Sequence, residues 1–119
     1  MAHSQEENVA TGDDLRRIAL SLEGVSEAPH FDRAAFKVAR IFATLAPDAK
    51  TANLKFTPDE QAFKCLLAPD AFAPIPNAWG PQGWTVAQLS ALDEADLRAA
   101  LEIAWRHGQK AKGKKRGRA

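Results

Sequence analysis

The sequence predicts a single α+β domain, and three observations carry that prediction. Near both ends of residues 11–108, apolar side chains recur at i, i+3, i+4 and i+7, the period of a helix with one buried face. Between Phe31 and Phe56 the period drops to two, as in strands with one face on a core. The joints between these segments are rich in Pro, Gly and Asp, the residues of turns. A length of 119 residues suits one core with little room for a second. The expected domain covers 11–108, between a flexible start at 1–10 and a disordered basic tail at 109–119.

Thr11 opens the first helix, because its hydroxyl can cap the chain while Asp14 returns the bond. Leu15, Ile18, Ala19 and Leu22 supply the buried stripe, and Gly24 suits a left-handed stop. Asp13 and Asp14 lie where the helix dipole favours negative charge, by about 0.3–1 kcal/mol each, which accounts for them without a function. Phe36 and Val38 then alternate with Lys37, Ile41 to Leu45 runs apolar, and Ala52, Leu54 and Phe56 alternate with Asn53 and Lys55, giving three antiparallel strands. Pro47 to Lys50 carries turn chemistry. The Ala39-Arg40 joint lacks the Gly or Asn of a tight hairpin and suits a bulge or longer turn.

After the third strand, Thr57-Pro58-Asp59-Glu60 opens a short extra helix with Phe63, Leu66 and Leu67 as its expected buried face. A turn is expected around Asp70 to Ala73. Pro74 to Gly83 is the one long loop, and loops of that length in compact domains often carry function. A strand near Trp84 to Leu89 leads to the last helix, capped by Asp93 and Asp96. Leu97, Ala100, Leu101, Ala104 and Trp105 form its inner face, and Gly108 is its expected stop.

A net charge of +1 hides a split. Residues 1–108 hold ten Lys/Arg against fifteen Asp/Glu, whereas Lys110, Lys112, Lys114, Lys115, Arg116 and Arg118 follow without one acid. That tail reads either as a phosphate-binding arm, adding about 0.9 to the log–log salt slope per phosphate neutralised, or as a solubilising terminus. The acidic body would oppose the first role. No apolar run approaches the roughly 20 residues of a membrane span, and residues 1–8 lack the basic start and apolar stretch of a secretory signal. Cys65 has no partner for an internal disulfide, so a cytoplasmic location is expected.

Few residues suggest chemistry. Asn77, Trp79 and Trp84 are the candidate rim of a pocket, although Trp84, opening a strand, and Trp105, on a helix face, also read as core. His30 and Asp32 are the one close histidine–carboxylate pair, and no nucleophile or second catalytic group accompanies them, so no enzyme activity is expected. His3, His30, His107 and Cys65 lack the spacing of a zinc site, and Glu6, Glu7, Asp13 and Asp14 form no evident cage; neither metal nor cofactor is expected. Cys65, beside Phe63 and Leu66, reads as a buried, inert thiol.

Three stretches resemble one family. Leu20-Ser-Leu-Glu-Gly-Val-Ser-Glu is similar to its helix-ending "SLPGVEE" motif, with Glu23 in place of Pro. Ala35-Phe-Lys-Val and Ile41-Phe-Ala resemble its "FKV…FA" hairpin, and Gly83-Trp84 followed by Asp93 to Arg98 and Ala104-Trp105-Arg106 completes the pattern. Over residues 13–106 the chain resembles the MmcQ/YjbR-like proteins of bacteria. The resemblance implies a fold like that of the bacterial frataxin homologues, with both terminal helices on one face of the antiparallel sheet. Members are often labelled DNA-binding, a label that rests on fold analogy and names no residues. The expected function is therefore a non-catalytic binding module, a monomer or weak homodimer, that binds DNA without sequence preference through the tail. The alternative is a protein-interaction or small-ligand module using the Pro74–Trp84 loop and the sheet face.

Overall fold

The computed structural model describes residues 9–109, so residues 1–8 of the start expected to be flexible over 1–10, and the cations Lys110 to Arg118, lie outside the described residues. Val9 bridges to Asp93, and buried Ala10 donates its amide to Leu92 O at 2.8 Å. Along the chain come α1 (Gly12–Ser21), β1 (Ser26–His30), β2 (Arg33–Lys37), β3 (Ile41–Leu45), β4 (Thr51–Lys55), α2 (Pro58–Leu67), β5 (Phe72–Pro74), β6 (Trp84–Gln88) and α3 (Glu94–Gln109). The six strands form one antiparallel sheet in the order β1-β2-β3-β4-β6-β5.

Helix starts follow the capping chemistry written in the sequence. Thr11 Oγ1 accepts from the Asp14 amide at 3.1 Å while Asp14 accepts from the Thr11 amide at 3.0 Å. Thr57 and Glu60 repeat the arrangement at 3.0 and 2.8 Å, with Pro58 in the first turn where its missing N–H costs nothing. The Asp96 amide donates to Asp93 at 2.8 Å to start α3. Leu15, Ile18 and Ala19 of α1 and Leu97, Ala100, Leu101 and Ala104 of α3 are fully buried against Phe36, Phe42, Leu54 and Phe56 of the sheet side. Burying each of the larger side chains is worth about 1.5–3 kcal/mol relative to leaving it in water.

Strand register divides the sheet into two unlike faces. Phe36, Ala43, Leu54 and Thr85 are partners across β2, β3, β4 and β6, and all four are buried under the helices. The adjacent row, Ala35, Thr44, Asn53, Val86 and Ala73, points the other way, since successive side chains alternate across a sheet. The irregularity anticipated near Arg40 is a β-bulge: Lys37 pairs with Ile41 and Phe36 with Ala43, leaving Phe42 as the extra residue. The bulge turns Phe42 towards α3 and leaves Ile41 and Thr44, three apart, on the same open face.

Four expectations need correcting. β1 was not anticipated, because its five residues are all exposed and contain Pro29; an edge strand tolerates that proline and needs no apolar alternation. The turn expected at Asp70 to Ala73 closes at Ala71, and Phe72 begins β5; because β1 precedes the three expected strands, the short helix follows the fourth strand rather than the third. Phe63, Leu66 and Leu67 do not face the core: they are 59%, 78% and 66% exposed. The inner face of α2 is instead Gln61 and Cys65, continued by its C-cap Ala68, and Cys65 is half-buried rather than enclosed. Finally, α3 runs through Gly108 to Gln109. The Gly108 carbonyl accepts from the Ala39 and Arg40 amides at 3.0 Å, and a Cβ there would lie 2.9 Å from Phe42 Cδ2, so this glycine docks the helix on the bulge.

Candidate functional site

The open face is concave. Its floor is the short-side-chain row around Thr44 and Asn53, and two raised walls face each other across it: the β1–β2 hairpin with His30, Phe31 and Arg33, and the β5–β6 loop with Ile75, Asn77 and Trp79. Ile41 and Trp84 complete the lining of a cavity of about 500 Å³, within the range of small-molecule sites. Asn77, Trp79 and Trp84 thus all border one cavity. His30 joins them; its ring meets Phe31 edge-on at 4.8 Å.

The hairpin wall is strained. Its two-residue turn is Phe31-Asp32, between the paired His30 and Arg33, and Phe31 adopts φ +61°. That region costs an L-residue about 1–2 kcal/mol and is ordinarily left to Gly or Asn. Phe31 nevertheless occupies it while 93% exposed. Arg33, which follows the turn, reaches from the hairpin wall to the floor at Thr44. Its Nε donates to Thr44 Oγ1 at 2.8 Å, but its Nη2 is buried with no acceptor among the described residues. Burial pushes the guanidinium pKa down, and Asp32 and Asp48 act in the opposite sense.

The opposite wall is rigidly built. The Trp79 amide donates to Asn77 Oδ1 at 2.8 Å, and the Gly80 amide to the Asn77 carbonyl at 3.1 Å. Buried Gln61 of α2 reaches the loop from the covered side, its Nε2 donating to the carbonyls of Gly80 and Trp84 at 2.9 and 3.0 Å and to Thr85 Oγ1 at 3.2 Å. Gly83 takes φ +107°, where a Cβ would collide with the Phe56 carbonyl at 1.9 Å. Lys55 closes the loop base by donating to Gln82 O, and burial lowers its pKa, as does nearby Arg40. Held from behind in this way, Trp79 still stands 56% exposed.

Other singled-out residues lie elsewhere. Trp105 is half-buried on α3, its Nε1 donating to Glu23 O at 3.0 Å, and does not reach the cavity. Burial raises the Cys65 pKa, which disfavours the thiolate. Asp14 is held below its ordinary pKa by Arg17 and by Thr11. His107 pairs with Glu60 at 2.8 Å, and no group of three or more His, Cys, Asp or Glu residues among the described residues is disposed to hold a metal ion. Sequence reasoning missed Phe31, Arg33, Ile41 and Thr44; only strand register and the bulge bring them together.

The YjbR family model matches residues 20–107. In fold, the chain is similar to Deinococcus radiodurans protein DR2400, which contains domain DUF419, with a TM-score of 0.76 and 22% identity over 91% of this chain and 85% of that one. At that identity the likeness carries the architecture alone. No curated protein matches the chain.

Proposed function

The chain belongs to the YjbR family, and from that premise we propose that it is a non-catalytic binding module whose ligand site is the concave open face of the sheet. One observation carries the reading: a preformed cavity with aromatic side chains at its rim and a few polar groups on its floor. Exposed Phe31 and Trp79 on opposing walls suit a planar apolar body lying between them. The lining contains His30 with neither a carboxylate nor a thiol beside it in the cavity, which favours binding over reaction. Titrating the protein with planar aromatic compounds while following tryptophan emission tests this. Saturable quenching that weakens at least tenfold in Trp79→Ala is expected; quenching unaffected by that substitution, or none, would remove the site.

The charge split favours a second reading, in which Lys110, Lys112, Lys114, Lys115, Arg116 and Arg118 bind nucleic acid without sequence preference. Four to six phosphate contacts give a salt slope of about −4 to −5 on logarithmic axes. Fluorescence anisotropy with labelled DNA, comparing the full chain with one ending at Gln109, would show that slope and its loss on truncation. Equal binding by both forms would move the activity from the tail to the folded domain.

A further inference from the structure

Resting on the open-face reading, we propose that Arg33 is an anion anchor and that the cavity takes small planar molecules bearing one carboxylate. Two side chains that carry hydrogen-bond donors, Arg33 and Thr44, line the cavity floor. Arg33 Nε is committed to Thr44 Oγ1 at 2.8 Å, which fixes the plane of the guanidinium, while Nη2 is buried and unpartnered among the described residues. An unsatisfied buried donor is costly, and more so when it carries charge. Thr44 Oγ1, having accepted from Arg33, still has its own proton to give. A carboxylate, which only accepts, satisfies both donors at once after a small shift of the Arg33 side chain brings the enclosed Nη2 to the cavity, whereas an amide or ester would bring at most one strong acceptor to the pair.

Charge and size narrow the class. The cavity lining contains one arginine, no lysine and no acid, so it is suited to a single negative charge rather than to the double charge of a phosphate monoester. No ion pair engages Arg33 among the described residues; Asp32 and Asp48 influence it only from beyond contact distance. The apolar walls, Phe31 and Ile41 on one side and Ile75 and Trp79 on the other, leave room for a flat ring system in about 500 Å³.

Matched compounds test the anchor apart from the site. 2-Naphthoic acid and 2-naphthamide share a ring system and differ in charge, and their affinities for the full chain can be measured by calorimetry or NMR titration at pH 7. The expected result is at least a tenfold preference for the acid. Arg33→Gln should abolish that preference by lowering the affinity for the acid at least about tenfold more than that for the amide, since a lost charge-assisted bond accounts for a change of this order. Thr44→Val, which keeps the charge but frees the guanidinium plane, should reduce the preference several-fold and serves if Arg33→Gln fails to fold. Equal binding of acid and amide by the parent chain would overturn the anchor and leave the site standing. Binding of neither would overturn both.

Discussion

The two faces of the sheet follow opposite rules. On the covered face, side chains match their surroundings: Phe36, Leu54 and Phe56 are fully buried, and the polar Thr85 and Gln61 satisfy one another and the loop carbonyls. On the open face three local choices cost stability. Phe31 sits at positive φ, Trp79 and Phe31 offer large apolar surfaces to water, and Arg33 hides a donor without an acceptor. A sequence shaped by folding alone would be consistent at every position; these three departures share one cavity, while the exposed Phe63, Leu66 and Leu67 of α2 and Ala49 at φ +62° depart from the same rules elsewhere.

The contrast can be broken by substitution, and the largest effect is expected on the covered face. Phe36→Ala removes a fully buried ring from the central row and should cost about 3–5 kcal/mol in chemical denaturation. Gln61→Ala should cost about 1–3 kcal/mol by removing its buried bonds to the Gly80 and Trp84 carbonyls and to Thr85 Oγ1. It should also loosen the Trp79 wall, so weaker aromatic quenching in a chain that remains folded would link the two faces. Phe31→Gly has the opposite sign: relief of the left-handed conformation should offset the looser unfolded chain and raise stability by roughly 1 kcal/mol, while ligand binding weakens. A destabilised Phe31→Gly would mean that the hairpin wall serves the fold and not a ligand.

The smallest effect is a pH dependence. Burial raises the Glu60 pKa, but the Thr57 amide and His107 outweigh it and hold the carboxyl below its ordinary 4.5. Because folding lowers this pKa, the contribution is complete above 4.5 and fades as pH falls through the lower folded value. Melting temperatures from pH 6 to pH 3 should therefore decline less steeply in Glu60→Gln, which keeps a capping side chain. The carboxyl is partly exposed, so solvent screening keeps the difference modest.

Much of the fold was legible because its signals are local. Thr11/Asp14 and Thr57/Glu60 announce helix starts within four residues, and the alternation through Phe36, Leu54 and Phe56 announces strands. The misreadings occur where tertiary context decides. Pro29 and its exposed neighbours read as loop, because an edge strand takes its conformation from β2. In α2, Phe63, Leu66 and Leu67 have the spacing of a buried stripe, yet Gln61 turns inward, where its amide bonds the loop carbonyls and Thr85. That leaves an exposed apolar patch. The same limit applied to the cavity: Trp79 and Asn77 stood out in a Pro/Gly loop, but Arg33 and Thr44 became neighbours only through the pairing of Ala35 with Thr44 and the extra residue at Phe42.

The most direct test of the open-face site is a two-dimensional ¹⁵N–¹H NMR map recorded during titration with a planar aromatic acid. The three tryptophan indole N–H groups report from distinct places, with Trp105 tied to Glu23 on the helical side as an internal control. Progressive shifts at the Trp79 and Trp84 indoles and at the Thr44 and Asn53 amides, with Trp105 unmoved, are the predicted result. Shifts confined to Phe63 to Leu67 of α2, or spread evenly over all three tryptophans, would contradict it.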